Sequence, residues 1–279
     1  MNESDVPTAT GFVRKMRGAT QAHLLGADDG HDYVVKFSNN PQHRRVLVNE
    51  LVATAILHHL HIATPESTVI RVTDDFLSEN PEVHLQLPSR TSVTPGFHFG
   101  SRYPVDLEKS AVYDFLPDSL LNRTANAADS LGVYVVDTWL GNASAPQFIF
   151  FRTTRGDSAN PAKFRMQSIG HGGTFDETDW QLPDVPSLKM DSRPTAYEKV
   201  MSIDSFQPWL DGVTQFPGRV LEQVREQIPN SWLEHEDASQ HKAMLERLYT
   251  RRTRVPDLIR VSSKHPLNPF PNWKEFLVN

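Results

Sequence analysis

Tyr33-Val34-Val35-Lys36-Phe37, followed by Val48-Asn49-Glu50-Leu51, puts a lysine on a strand and a glutamate on the next helix. The first run is β-branched and aromatic, which suits a pleated, half-buried surface. From Arg44 to His61 the apolar positions Val46, Leu47, Leu51, Ala55, Ile56 and Leu60 recur at helical spacing, so an amphipathic helix carries Glu50 in its middle. A strand ammonium fixed by a helix carboxylate can grip the phosphates of a nucleotide. A surface lysine and a solvated glutamate remain the alternative reading of the same residues.

Working outward, Phe12 to Met16 and Ala22 to Leu25 read as two strands ahead of Tyr33 to Phe37, with a turn at Asp28-Asp29-Gly30, which predicts an antiparallel meander. Val69 to Val72 returns to strand character, and Phe97 to Tyr103 is a short aromatic strand bracketed by breakers after a Pro-, Ser- and Thr-rich stretch. Composition then turns from strand-rich to helix-rich. The chain is expected to divide into a flexible terminus 1–10, a small sheet lobe 11–104 and a mainly helical lobe 105–279. In the second, Ala127 to Trp139 is a strongly apolar helix enclosing Asp137. Phe148 to Arg152 and Phe164 to Ile169 pair as a hairpin around a polar insert 153–162. Helices are expected near 194–200, 203–214, 217–227 and 238–254, before a Pro-rich extended tail 266–279. The fold class is α+β, bilobal, with an antiparallel sheet and one long helix in the first lobe.

Apolar residues make up 38% of the 279, enough to bury a core, and the net charge of -6 with a pI near 6.0 argues against binding nucleic acid or an anionic membrane through a basic face. With no cysteine, disulfides and thiolate metal sites are excluded. No stretch reads as a signal peptide or a membrane span, so a cytoplasmic protein is expected, and the Asn-x-Ser/Thr triplets at Asn122 and Asn142 are read as chance matches. His58, His59 and His61 are read as a solvated helix end rather than a zinc site.

Three further stretches could carry chemistry. Arg17-Gly18-Ala19-Thr20-Gln21 links the first two strands and could drape over phosphates, Gly18 allowing close approach within the basic cluster Arg14-Lys15-Met16-Arg17; an ordinary hairpin turn explains it equally well. Asp137 to Gln147 closes the apolar helix with a polar loop, and Ser168-Ile169-Gly170-His171-Gly172-Gly173 follows the second hairpin strand.

The runs Val13 to Gly18, Gln21-Ala22-His23-Leu24, Val35-Lys36-Phe37, Asn39 to Arg45 leading to Asn49-Glu50, Trp139 to Gln147 and Asn268 to Trp273 together resemble the bacterial HipA-like kinases, over nearly the whole chain. The resemblance implies a protein-kinase-like fold with ATP and Mg2+ between the lobes. It makes Lys36 the phosphate-holding lysine, Glu50 its partner, Arg17, Gly18 and Gln21 a loop over the phosphates, and Phe97 to Tyr103, with Phe99 and Arg102, a hinge under the adenine. Where that family would place its catalytic and metal-holding aspartates, this chain has Ser144 and Gly170. Asn142 and Gln147 keep polar types suited to metal or phosphate, and His171 could donate to a phosphate. Asp137 is a possible substitute acid or a buried organiser of its loop; Asp176 and Asp179 are further candidates. Phosphoryl transfer needs an acid to receive the hydroxyl proton and a carboxylate to hold the metal. The expectation is therefore a degenerate kinase that binds a nucleotide or a protein partner. An active serine/threonine kinase using other acids and an interaction module without nucleotide are the alternatives. A protein partner or protein substrate is expected in either kinase case.

Overall fold

The computed structural model describes residues 5–153, 163–185, 190, 194–234, 236–267 and 269–274. Strands β1 (Ala9–Lys15), β2 (His23–Ala27) and β3 (Asp32–Lys36) form the expected antiparallel meander. The chain then enters α1 (Arg45–His59), returns as β4 (Ser67–Val72), and passes through α2 (Asp74–Glu79) and the hairpin β5 (His84–Leu87) and β6 (Ser89–Ser92) into β7 (Gly96–Arg102). The five-stranded sheet runs β1-β2-β3-β7-β4, with β7 antiparallel to both neighbours.

Register assigns the two faces. Lys36 lies opposite Phe99 and Phe99 opposite Val69, so strand alternation puts Val34, Lys36, Phe99 and Val69 on one face. Tyr33, Val35, Gly100 and Ile70 occupy the other, where a Cβ on Gly100 would come within 2.4 Å of Ile70 Cγ1. That second face is covered by Phe76 of α2, Leu85 of the hairpin, Val83 and Val93. Thr73 starts α2 by accepting from the Phe76 N–H at 3.1 Å, with Asp74 and Asp75 in the first turn favourable to the helix dipole.

α1 packs against the first face and is buried on nearly every side, including its polar Asn49, Glu50 and Thr54. Its Leu47, Val48, Leu51 and Ile56 join one core with α4 (Asp129–Leu140) and with β9 (Gln147–Arg152) and β10 (Phe164–Ile169). The latter two pair antiparallel as expected, Phe148 opposite Ser168, and the short edge strand β8 (Val112–Tyr113) adds to β9. The remaining helices are α3 (Asp118–Leu121), α5 (Trp209–Thr214), α6 (Gly218–Arg225), α7 (Asp237–Arg251) and α8 (Val255–Ser263).

The differences from expectation are local. β1 begins at Ala9 because Pro7 and Thr8 already pair with Arg71 beside it. Of the expected flexible terminus, residues 1–4 lie outside the described residues, as do 154–162 of the polar insert and Asn268 and 275–279 of the tail. Pro194–Ala196 and Ile203–Phe206 are 3-10 turns rather than α-helix. Among the described residues no helix is long and apolar enough to cross a membrane.

Two buried histidines make stability depend on pH. His98 packs edge-on to Phe37 and accepts from the Ser38 N–H at 2.9 Å, while His241 packs against Trp180. Burial pushes each ring down to about 4 from 6.5. Below pH 6.5 the unfolded chain then binds more protons than the folded one, so stability falls as pH drops toward 4. Replacing His98 with Asn should reduce the loss of unfolding free energy between pH 7 and pH 5 by about 2 kcal/mol, read from urea unfolding at both values. An unchanged loss would exclude His98 as a source of the dependence.

Candidate functional site: a cleft between the sheet and two glycine-bearing loops

Lys36 ends β3 on the face that meets α1, and its Nζ donates to Glu50 Oε1 in a close ion pair. The side chains are 13% and 4% exposed, so the pair lies in a low-dielectric setting. Burial alone would raise the Glu50 carboxyl. The Lys36 and His171 charges, the Lys36 hydrogen bond and the His171 backbone N–H outweigh it and hold Glu50 below the usual carboxylate range. Glu50 is therefore an anion with two partners, one from the sheet and one from the loop after β10.

The first loop begins where α4 ends. Gly141 takes the left-handed conformation (φ 59) that closes many helices, and the Asn142 N–H returns to the Asp137 carbonyl at 3.0 Å. The Asn142 side chain is used at both ends: Nδ2 donates to Asp137 Oδ1 at 2.9 Å and Oδ1 accepts from the Ser144 N–H at 3.0 Å. Asp137 is 2% exposed. Burial pushes its carboxyl up to about 7, against the opposing Asn142 hydrogen bond. Its place is under the loop, organising it.

The second loop turns at Gly170 (φ 75) into a 3-10 turn, His171–Gly173. The Ala143 N–H donates to the Gly173 carbonyl at 2.8 Å, joining the loops. Ser144 Oγ lies so close to Gly173 that a Cβ there would approach it to 2.4 Å, and a Cβ on Gly170 would lie 3.0 Å from Gln147 Oε1. A Cβ on Gly172 would lie 3.3 Å from Glu50 Oε1. Lys36, Glu50, Gly172, Gly173 and Ser144 thus form one continuous run, with Gly170 and Gln147 beside it. His171 is buried, its Nε2 without a partner among the described residues; burial and Lys36 lower its basicity although Glu50 acts the other way.

Other residues expected at the site are elsewhere or otherwise engaged. Arg102 lies opposite Tyr33, on the sheet face away from Lys36, and pairs with Glu66 at 2.8 Å; this corrects its assignment to the cofactor. Gln21 is taken by the β5–β6 hairpin, donating to the Gln86 carbonyl at 3.0 Å and accepting from its N–H at 2.7 Å, so its amide is not aimed at phosphates. Phe99 is a core residue, 1% exposed, and contributes packing under Lys36. Arg17 is exposed, and Gly18 (φ 125) has open space around it. Asp179 is exposed, and Asp176 sits in left-handed backbone between Phe175 and Glu177.

Arg14, read as part of the basic cluster, and Tyr103, read as the end of the hinge segment, are joined at 3.1 Å. Sequence reading gave one contributor no role. Asn49, beside Glu50, is fully buried; a polar side chain inside an apolar helix pattern demands partners, and that was the available signal.

A divalent metal of the Mg2+ kind takes hard oxygen ligands, usually including carboxylate. Around Gly170 the donors are the Gln147 amide oxygen and backbone carbonyls. The Asn142 oxygen already accepts from Ser144, Glu50 is committed to Lys36, and Asp137 is buried beneath its loop. Among the described residues no three His, Asp or Glu side chains are grouped to hold a metal ion. The described residues around Gly170 do not fit Mg2+.

Residues 12–145 match the family model described as HipA-like kinase. No curated protein matches the chain. Among solved structures, the Golgi casein kinase aligns with a TM-score of 0.53 at 10% identity, covering 94% of this chain and 74% of that one. The Helicobacter pylori proinflammatory kinase CtkA aligns with a TM-score of 0.51 at 13% identity, covering 92% and 96%. At such identities the likeness is one of fold. A sheet lysine paired with a helix glutamate therefore stands in a protein-kinase-like fold, and the stretch from β1 to the loop after α4 matches the HipA-like kinase model.

Proposed function

We propose that this protein is a degenerate kinase which takes a nucleotide into the cleft beside Lys36 without a divalent metal and does not pass its phosphate on. The observation that carries this reading is the contrast within one site. The Lys36–Glu50 pair is intact, while the two loop positions facing it are Ser144 and Gly170, packed against Gly173 and Gln147. Lys36 supplies a fixed positive charge for phosphate oxygens, and Val34 on the same sheet face offers an apolar roof for a base. Neither Ser144, which is not a base, nor Asp137, which is beneath the surface, is suited to accept a hydroxyl proton. Through its bound or empty cleft the protein would act by association with a protein partner.

Thermal unfolding with ATP or ADP, each with Mg2+ or with chelator, tests the reading. Nucleotide at 100 times its Kd should add about 2.7 kcal/mol of stability, equally with metal and with chelator, and radiolabelled ATP should leave no label on the chain or on generic protein substrates. Stabilisation that requires Mg2+, together with label transfer, would establish an active kinase instead. No shift with any nucleotide would leave an interaction module.

A further inference from the structure

The loop from Gly170 to Leu182 follows an unusual path. Phe175 (φ 61), Asp176 (φ 62), Glu177 (φ 55), Trp180 (φ 55) and Leu182 (φ 49) all adopt left-handed backbone, which side chains other than glycine resist. Such a path persists only where the surroundings over-determine it.

Much of that determination comes from one side chain on α1. Asn49 Nδ2 donates to the carbonyls of Gly172 and Thr174, each at 2.9 Å, and of Glu177 at 2.6 Å, while its Oδ1 accepts from Trp180 Nε1 at 2.8 Å. Two amide protons shared among three carbonyls, plus one acceptor used, leave this side chain no unspent hydrogen-bonding capacity on the donor side. One turn earlier on α1, Arg45 stacks over the Trp180 ring at 4.4 Å, donates to the Thr178 carbonyl and pairs with Asp237 of α7. The same loop brings the His171 N–H to Glu50 and sets Gly172 against its carboxylate, where Val46 leaves no room for a Cβ.

We infer that Asn49 is a positioning residue: by fastening loop 172–180 to α1, it holds Glu50 on Lys36 whether or not the cleft is filled, so the nucleotide-receiving arrangement is permanent. Glu50 is confined by Lys36 and by the loop. Without the loop, the carboxylate would have water and other rotamers available, and the Lys36 ammonium would be free to leave it. The functional weight of this arrangement rests on the nucleotide reading above, although the coupling itself does not.

The test therefore uses no nucleotide. Lysine acetylation of the full chain, followed residue by residue in mass spectrometry, reports how often Lys36 leaves Glu50. Lys36 should react about tenfold more slowly than the exposed Lys242, and Asn49→Leu should raise the Lys36 rate about tenfold while leaving Lys242 unchanged, the loss expected for removal of buried hydrogen bonds. Hydrogen exchange at residues 171–177 should accelerate in parallel. A purely structural role would lower the melting temperature without changing the ratio of Lys36 to Lys242. Should Asn49→Leu not fold, Trp180→Phe removes the indole N–H bond to Asn49 and keeps a single aromatic ring in its place. It should produce a smaller rise in both readouts. An unaltered Lys36 rate in a folded variant overturns the inference. Absence of nucleotide binding alongside the predicted Lys36 rates would overturn the proposed function and leave the coupling standing.

Discussion

Lys36→Met should destabilise the protein by about 3–5 kcal/mol, the usual cost of leaving one partner of a buried ion pair behind. Glu50, 4% exposed, would keep only its interactions with His171 and lose the charge and the hydrogen bond of Lys36 that help hold it ionised. With Lys36 gone, burial becomes the dominant influence and drives its pKa upward. The sign of the pH dependence then reverses. In the natural protein the depressed Glu50 carboxyl contributes stability that is present above its unfolded value of 4.5 and is lost as pH falls. In Lys36→Met a raised carboxyl is best tolerated at low pH and becomes costly as pH rises, so the deficit should be greater at pH 8 than at pH 5. Adding Glu50→Gln to Lys36→Met should recover most of the loss, because two neutral side chains carry no desolvated charge. Urea unfolding of the four proteins of this cycle at both pH values measures the coupling. A single-variant loss below about 1 kcal/mol, the range of exposed pairs, would mean the ion pair is solvated and is not the charged centre of the cleft.

What was legible in the sequence follows from which forces act locally. β3 and the β9–β10 hairpin stand out because burial on one face imposes a period, whereas α1 is buried on nearly every side and was legible from its apolar residues; Lys36 and Glu50 are conspicuous as charges within such apolar stretches. The hairpin β5–β6 and α2 were hidden in a Pro-, Ser- and Thr-rich stretch whose order comes from contacts elsewhere. Gln21 clamps Gln86 from the β1–β2 turn, and Phe76 fills the outer face of the sheet. α8 was lost because Pro256 reads as a breaker, whereas at the start of a helix its missing N–H has no role to forfeit. Arg102 was misassigned for a reason of geometry: proximity in sequence to a cleft strand does not reveal which face a side chain takes until the register with β3 is known. At Gly170 the family resemblance implied a missing acid. The structure adds that the position has φ 75 and that Gln147 stands beside it, so an aspartate there would meet both backbone strain and a neighbour. Asn49 shows the opposite limit. Its residue type announced a buried partner, but four partners spread over residues 172 to 180 are set by tertiary packing alone.

Asp137→Asn should stabilise the protein, by about 4 kcal/mol at pH 8 and about 2 kcal/mol at pH 5. The carboxyl is buried, with Oδ1 accepting from Asn142 and Oδ2 without a partner among the described residues. Burial lifts its pKa from 3.8 to about 7. Between those values the folded chain holds a proton that the unfolded chain has released, so stability declines as pH rises from about 4 to 7 and then stays at its lower level. Asparagine reproduces the neutral form at every pH. Its carbonyl can take the place of Oδ1, because the Ser144 N–H bond fixes the orientation of the Asn142 amide. Its amino group replaces a protonated oxygen that was equally unpartnered, so the hydrogen-bond accounts of the two side chains nearly cancel. The slope also opposes that of His98 and His241, which lose stability in the other direction below pH 6.5. The natural protein should therefore be most stable near pH 6 to 7 by this balance, and Asp137→Asn should move that optimum upward. Equilibrium unfolding of both proteins from pH 5 to pH 8 reads the difference directly. A variant less stable than the natural protein at pH 8 would mean that the Asp137 carboxylate is charged and satisfied in the fold, and would reopen it as an acid available to the cleft.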